Sequence, residues 1–445
     1  MLAKPKNKQQ TSFFSTFEEQ LSHRHPLYIL SNQIEWKKFD DAFKKHYSET
    51  MGAPAKPIRL LVGLLILKHL RNLSDESVVE QWAENSYYQY VCGEEYFASA
   101  PPCVPTELVE FRKRIGEAGI ELIFQESIRI NGKDGKEEDA ATDTTVQEKN
   151  ITFPTDSKLH KKIIDKCKDM AQKENLELRQ TYTRTVKKLS YDQRFRNHPK
   201  NYGKARKADR KIKTIAGRLV RELERKLPAQ TLPNYFSSLA IFKKVLLQKR
   251  NDTQKIYSLH EQHTQCIAKG KEHKKYEFGS KVSIIKTKNS GVIIGALNFE
   301  KNDYDAHTLQ PAIEQQQRLT GHILKNNFVD RGYRGIKNVL GTNIITPNNY
   351  SHLNNYQKQK IRHGFRRRAA IEPKIGHLKS DHRLSRNFYK GIFGDNINVM
   401  LAAAAMNFKR MMNKWKDNPS VLFFVRWAHL FFYQLTRKTQ PKMAF

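Results

Sequence analysis

Ala140-Ala141-Thr142-Asp143-Thr144-Thr145-Val146 is a short run of small and β-branched residues with a carboxylate at its centre. Residues of that kind fit a pleated strand better than a helix. The run follows a polar, glycine-bearing connector, Asn131 to Asp139, and precedes charge-dense helical sequence from about Thr155 to Gln254. It therefore predicts the first core strand of an α/β fold, with helices before it and a helical arm inserted after it.

Toward the N-terminus, Ile58 to Leu70 is apolar on nearly every face, which predicts a helix buried by its neighbours. Ser74 can cap a second helix carrying Val78, Val79 and Trp82 at helical spacing, and a third starts near Thr106 with Leu108, Phe111 and Ile115. A helix-turn-helix and a plain helical bundle both fit this stretch.

Toward the C-terminus, the arm crowds Arg194, Arg196, Lys200, Lys204, Arg206, Lys207, Arg210, Lys211 and Lys213 among Tyr182, Tyr191, Phe195 and Tyr202. Such a mixture suits stacking and backbone contact with nucleic acid, and it suits a solvated helix face equally. Strand character returns at Tyr276 to Lys286, then a turn at Lys288 to Gly291 leads into Val292 to Leu297, a hairpin pattern. A helix around Thr308 to Leu319, a strand ending at Asp330, a strand at Asn343 to Thr346 and a helical stretch from Tyr356 complete an alternating order.

With 79 Lys plus Arg against 45 Asp plus Glu, the chain of 445 residues carries a formal charge of +34. That excess predicts a polyanionic partner, nucleic acid first. No run of 18 apolar residues is present, and Met1 to Gln10 is too polar for a signal peptide, so no membrane partner is expected. Val421 to Tyr433 is too short to span and contains Arg426 and His429, which reads as a packing helix. Cys92, Cys103, Cys167 and Cys266 form no C-x-x-C pair, so a reduced, cytoplasmic protein without disulfides is expected. His260, His263, Cys266 and His273 match no zinc spacing.

Three carboxylates stand out against this basic background. Asp143 lies in the first strand, Asp330 ends Phe328-Val329-Asp330, and Glu372 lies within Phe365-x2-Arg368-x3-Glu372-x6-Lys379. Carboxylates from separate elements can converge on two divalent ions roughly 3.5–4 Å apart, the arrangement that phosphodiester chemistry uses. Steps of three, four and seven place Phe365, Arg368, Glu372 and Lys379 on one helical face, although Pro373 must kink that helix or start a new one near Glu372. Asp139 and Asp156 lie outside the apolar run, and Asp303 and Asp305 read as loop residues ordering His307 and the helix after it. Arg331 and Arg334 flank Gly332 beside Asp330, a pattern that suits contact with phosphates and also a glycine-bearing turn with solvated arginines, the former being favoured because the site must bind phosphates.

These residues resemble the bacterial insertion-sequence transposases of the DDE type, specifically the insertion-sequence-five family. The strings are Thr142-Asp143-Thr144-Thr145-Val146-Gln147-Glu148-Lys149-Asn150-Ile151, Pro154-Thr155-Asp156, Tyr276-Glu277-Phe278-Gly279, Lys281-Val282-Ser283, Asp305-Ala306-His307-Thr308-Leu309, Val329-Asp330-Arg331-Gly332-Tyr333-Arg334-Gly335 and Glu372-Pro373-Lys374-Ile375-Gly376-His377-Leu378-Lys379. The resemblance implies an α/β, RNase H-like catalytic core made of 136–153 and 255–410. It implies an N-terminal helical, DNA-binding domain over 1–130, with the basic helical insertion over 154–254 and a helical tail over 411–445.

Asp143, Asp330 and Glu372 are then the catalytic, metal-binding triad for two Mg²⁺ ions, with Mn²⁺ as a substitute. Arg368 and Lys379 match the family pattern as contacts to the phosphates or terminal bases of the element end. Phe365 stands where relatives carry tyrosine, which leaves stacking or packing but no phenolic chemistry. Arg331, Arg334, Arg206, Lys207, Arg210 and Lys211 complete the expected DNA contacts. The implied activity is cut-and-paste transposition by a nucleoid-associated homo-oligomer, a dimer that joins two element ends and acts on double-stranded element and target DNA. A nuclease of the same superfamily without strand transfer, and an inactive transposase-derived DNA-binding protein, are the alternatives.

Overall fold

In the computed structural model, residues 15–48, 54–249, 251–268, 275–347, 350 and 353–417 are described. Short helices α1 (Phe17–Gln20), α2 (Pro26–Gln33) and α3 (Trp36–Phe43) lead into α4 (Ile58–Leu70), which is buried at every residue from Leu60 to Leu70. A helix apolar all round has no solvent face to offer, so other helices must enclose it. They include α3, α5 (Asp75–Glu84), α6 (Ser86–Cys92) and α7 (Pro105–Ile130), the last broken at Gly116, and the long C-terminal helix over 391–417. The Ser74 hydroxyl caps α5 by accepting from the Ser77 amide at 3.0 Å.

Strand β1 (Asp139–Lys149) carries the small and branched run, and it is followed by the arm: α8 (Asp156–Lys173), α9 (Thr183–Asp192), α10 (Pro199–Lys226) and α11 (Leu232–Leu247). The arm has an apolar core of its own, with Ile163, Ile212, Leu219 and Phe242 at its centre. At its root, where the chain leaves β1 and returns, the buried Lys149 ammonium meets Asp395 at 2.8 Å and Glu261 at 3.3 Å. His263 joins the same Asp395 at 3.0 Å. Breaking a buried pair of this kind costs about 3–5 kcal/mol, because the surviving charge is left without a partner.

After the arm come β2 (Gln265–Ala268), β3 (Tyr276–Thr287), β4 (Ile293–Phe299), α12 (Asp305–Thr320), β5 (Asn326–Phe328), β6 (Asn338–Val339) and β7 (Thr342–Ile345). The chain continues through α13 (Asn355–Ala369), α14 (Ile371–Asp381), β8 (Arg386–Asn387) and α15 (Gly391–Asp417). The fold is mixed α/β and mostly helical, with one mixed sheet ordered β2-β3-β1-β5-β7-β6; β4 pairs with β3 and β8 with β1. β3 runs antiparallel to β1, whereas β5 and β7 run parallel to it. β1 is central and buried along most of its length, which is why small residues fill it rather than an alternating pattern.

One apolar core runs from the N-terminal helices through β3, β4 and α12 to α15. Several sequence expectations change. The strand expected to end at Asp330 stops at Phe328, and β2, β6 and β8 were too short to stand out. Of the two outcomes expected at Pro373, a kink or a new helix near Glu372, the second holds: α13 and α14 are separated at Ala370, so Pro373 falls in the first turn of α14 where no amide hydrogen bond is lost, and the single-face arrangement of Phe365 through Lys379 does not extend across the break. Val421 to Tyr433 and His273 lie outside the described residues.

Candidate active site

Strand register brings two of the acids together. β1 and β5 are parallel with Ala141 opposite Phe328, and Asp143 and Asp330 each lie two residues beyond that pair. Neighbouring parallel strands are about 4.8 Å apart, so mid-strand Asp143 lies beside Asp330, just past the end of β5. The buried Thr142, one residue before Asp143, and Asn327, one residue before Phe328, bond side chain to side chain at 2.7–2.9 Å diagonally across the two strands and hold this register.

Helix α13 then crosses the strand ends. Gly364 lies against Phe328 so closely that an added Cβ would sit 2.1 Å from the ring, and Phe365 meets the same ring edge-on at 5.6 Å. Four residues on, on the same face, the Arg368 guanidinium reaches Asp143 at 3.5 Å and Asp330 at 4.0 Å. Glu372, exposed in the first turn of α14, is anchored by the buried Ile371, Ile375 and Leu378.

Burial pushes the Asp143 carboxyl up to about 6; Arg368 and the Thr144 amide oppose that rise, while the charges of Asp330 and Glu372 add to it. The three acids thus share one electrostatic neighbourhood.

Other expected contacts are distributed more widely. Lys379 lies 3.9 Å from Glu277, and Arg331 and Arg334 are exposed on the turn after Asp330. Arg206, Lys207, Arg210 and Lys211 line the exposed face of α10. Lys207, Arg210 and Lys211, together with Arg218, Tyr182 and Thr185, border a cleft of about 570 Å³ in the arm. Tyr191, Phe195 and Tyr202 are exposed, whereas Tyr182 packs on the core of the arm.

Sequence reasoning missed several neighbours of the acids. Asp305, read as a loop residue, opens α12 and bonds Thr144 and Lys281. The nearby string Asp305-Ala306-His307 was the available signal. Buried Lys286 and half-buried Lys374, near the α13–α14 junction, have amines lowered by desolvation to about 8, and Lys286 donates to the Arg367 carbonyl at 3.1 Å. A lysine within a β-prone run offered no sign of that role.

Among the described residues, no three His, Cys, Asp or Glu side chains are drawn together tightly enough to hold a metal ion as they stand. The donor set nevertheless suits a hard divalent cation, which prefers carboxylate oxygen. A guanidinium already bridges Asp143 and Asp330 as a cation. Tyr333 is also fully buried, and burial with the charges of Asp305, Asp143 and Asp330 holds its proton well above the phenolic range.

Residues 15–114 match a family model described as a transposase domain (DUF772), and residues 342–412 match one described as a transposase DDE domain. The second match includes Arg368, Glu372 and Lys379; Asp143 and Asp330 lie outside both. A Rhizobium meliloti protein described as an uncharacterized protein, ORF8 in the nfe locus, is 37% identical over 205 residues, which make up 45% of this chain and 99% of that relative. No solved structure matches.

Proposed function

We propose that this chain, which belongs to the DDE-type insertion-sequence transposases, cuts DNA at the terminal inverted repeats of its element and joins the freed ends to target DNA. The carrying observation is the convergence of Asp143 and Asp330 on Arg368 within the electrostatic reach of Glu372. An RNase H-like core over 136–153 and 255–410 is the architecture this reading requires, and the mixed sheet with β3 antiparallel to β1 supports it. The flanking regions would be a DNA-binding helical domain over 1–130, the basic insertion over 154–254 and a tail over 411–445. The strings quoted above support placement in the insertion-sequence-five family.

Asp143, Asp330 and Glu372 would hold Mg²⁺, or Mn²⁺ in its place. When bound, the ions would supply Lewis-acid chemistry, activating the attacking oxygen and taking charge from the leaving one. Arg368 balances the acids and is close enough to turn its fork to a phosphate. Lys379, Arg331 and Arg334 would hold the backbone of the cut strand, while Phe365 acts by packing against Phe328. Arg206, Lys207, Arg210 and Lys211 would hold DNA along the arm. A homodimer in the cytoplasm, acting at the nucleoid on two element ends and on target DNA, completes the reading.

Metal-dependent cleavage of DNA carrying the flanking repeats tests it, with Mg²⁺ or Ca²⁺, for the parent and Glu372→Gln. Cutting that needs both Mg²⁺ and Glu372, followed by strand transfer from precut ends, is the expected result. Cutting without strand transfer would leave a nuclease of the same superfamily. Tight, salt-sensitive binding with no cutting would favour a binding-only descendant, a reading against which the intact Asp143, Asp330 and Glu372 argue.

A further inference from the structure

We propose that Asp305 is a positioning residue that holds Asp143 and Asp330 in their mutual geometry, an inference that rests on the transposase reading above. One Asp305 oxygen accepts from the Thr144 hydroxyl and from the Lys281 ammonium, both at 3.0 Å. The Thr144 amide in turn donates to Asp143 at 2.8 Å, so a single residue joins the two carboxylates.

The other Asp305 oxygen faces Gly332, lying 3.1 Å from where a Cβ would stand. An Asp330 oxygen lies 3.0 Å from the same point, and the Gly332 amide donates to it at 2.8 Å. The two carboxylates therefore approach within about 6 Å, and a side chain at 332 would crowd both. Contacts pass from Asp305 through Thr144 to Asp143, through Arg368 to Asp330, and through Gly332 back to Asp305.

A fourth acid would ordinarily add repulsion to a site already crowded with negative charge. Lys281, held in place by a second bond to the Asp303 carbonyl, neutralises Asp305 and removes that objection. Partners that orient metal-holding carboxylates typically change metal affinity about 10–100-fold when they are removed.

The test is Mn²⁺ binding to the full chain without DNA, by titration calorimetry, for the parent, Asp143→Asn, Asp305→Asn, Asp305→Ala and Thr144→Val. Thermal unfolding in chelator confirms which variants fold. Binding by the parent that Asp143→Asn abolishes supports the metal site. Weakening of roughly tenfold or more in folded Asp305→Ala, and less in Asp305→Asn, supports the positioning role. The metal concentration for half-maximal cleavage should rise in parallel while the rate at saturating metal changes much less. Folded Asp305 or Thr144 variants that bind Mn²⁺ as tightly as the parent would overturn the proposal alone, and a parent that binds no Mn²⁺ would overturn it together with the reading it rests on.

Discussion

Asp143 carries the sharpest consequence at the level of one side chain. The folded chain holds its proton up to about 6 rather than 3.8, because burial disfavours the charge. Between those values the folded state binds more protons than the unfolded one, so this group's contribution to stability falls as pH rises through the window. In metal-free protein Asp143→Asn removes the buried charge. It should be more stable than the parent at pH 7 by on the order of 2–3 kcal/mol at most, with the difference vanishing near pH 4. Urea unfolding in chelator at the two pH values measures this. A variant less stable than the parent at neutral pH would mean that the carboxylate is well solvated or well paired. The same residue is expected to be indispensable for cleavage, so stability and activity should move in opposite directions.

Among the elements, the contact between α13 and β5 sets where Arg368 arrives. Gly364 allows the helix to lie on the Phe328 ring, and any larger residue must lift it. Gly364→Ala is expected to cost about 1–3 kcal/mol of stability and to reduce cleavage further than that loss explains, because Arg368 would be raised from both carboxylates. Adding Phe328→Leu should restore part of both. If cleavage by Gly364→Ala matches the parent, the α13 contact does not set the site. The helix itself was readable from about Tyr356, whereas its start at Asn355, capped by the Asn354 side chain accepting from the Gln357 amide at 2.8 Å, came from the structure. The break at Ala370 was only half readable, since Pro373 signals a boundary nearby and the tertiary contacts choose its position.

For the whole molecule, the excess of positive charge and the exposed cations of the arm point to contact with DNA phosphates over a wide surface. Arg210→Glu combined with Lys211→Glu should leave the fold intact, as both side chains are exposed on α10. The salt dependence of duplex binding should become shallower by roughly one to two units in a plot of log affinity against log salt. Fluorescence anisotropy with a repeat-bearing duplex reads this directly. An unchanged slope would make the arm a solvated face, the other reading its composition allows.

What the sequence by itself determined was local: α4 spans the apolar run Ile58–Leu70, Ser74 caps α5, and the hairpin of β3 and β4 surrounds the turn after Lys288. These follow from spacings of two to four residues and from cap chemistry, which need no partner elsewhere in the chain. The net charge and the three proposed ligands were equally legible as residue types. Only the tertiary structure decided what meets what. Parallel register set Asp143 beside Asp330, close packing on Phe328 delivered Arg368, and the start of α12 carried Asp305 to Thr144 and Lys281. The apolar core shared between the N-terminal helices and α15 is of the same kind. Contacts between residues tens to hundreds of positions apart depend on strand order and helix packing across the whole molecule, and no local pattern encodes them.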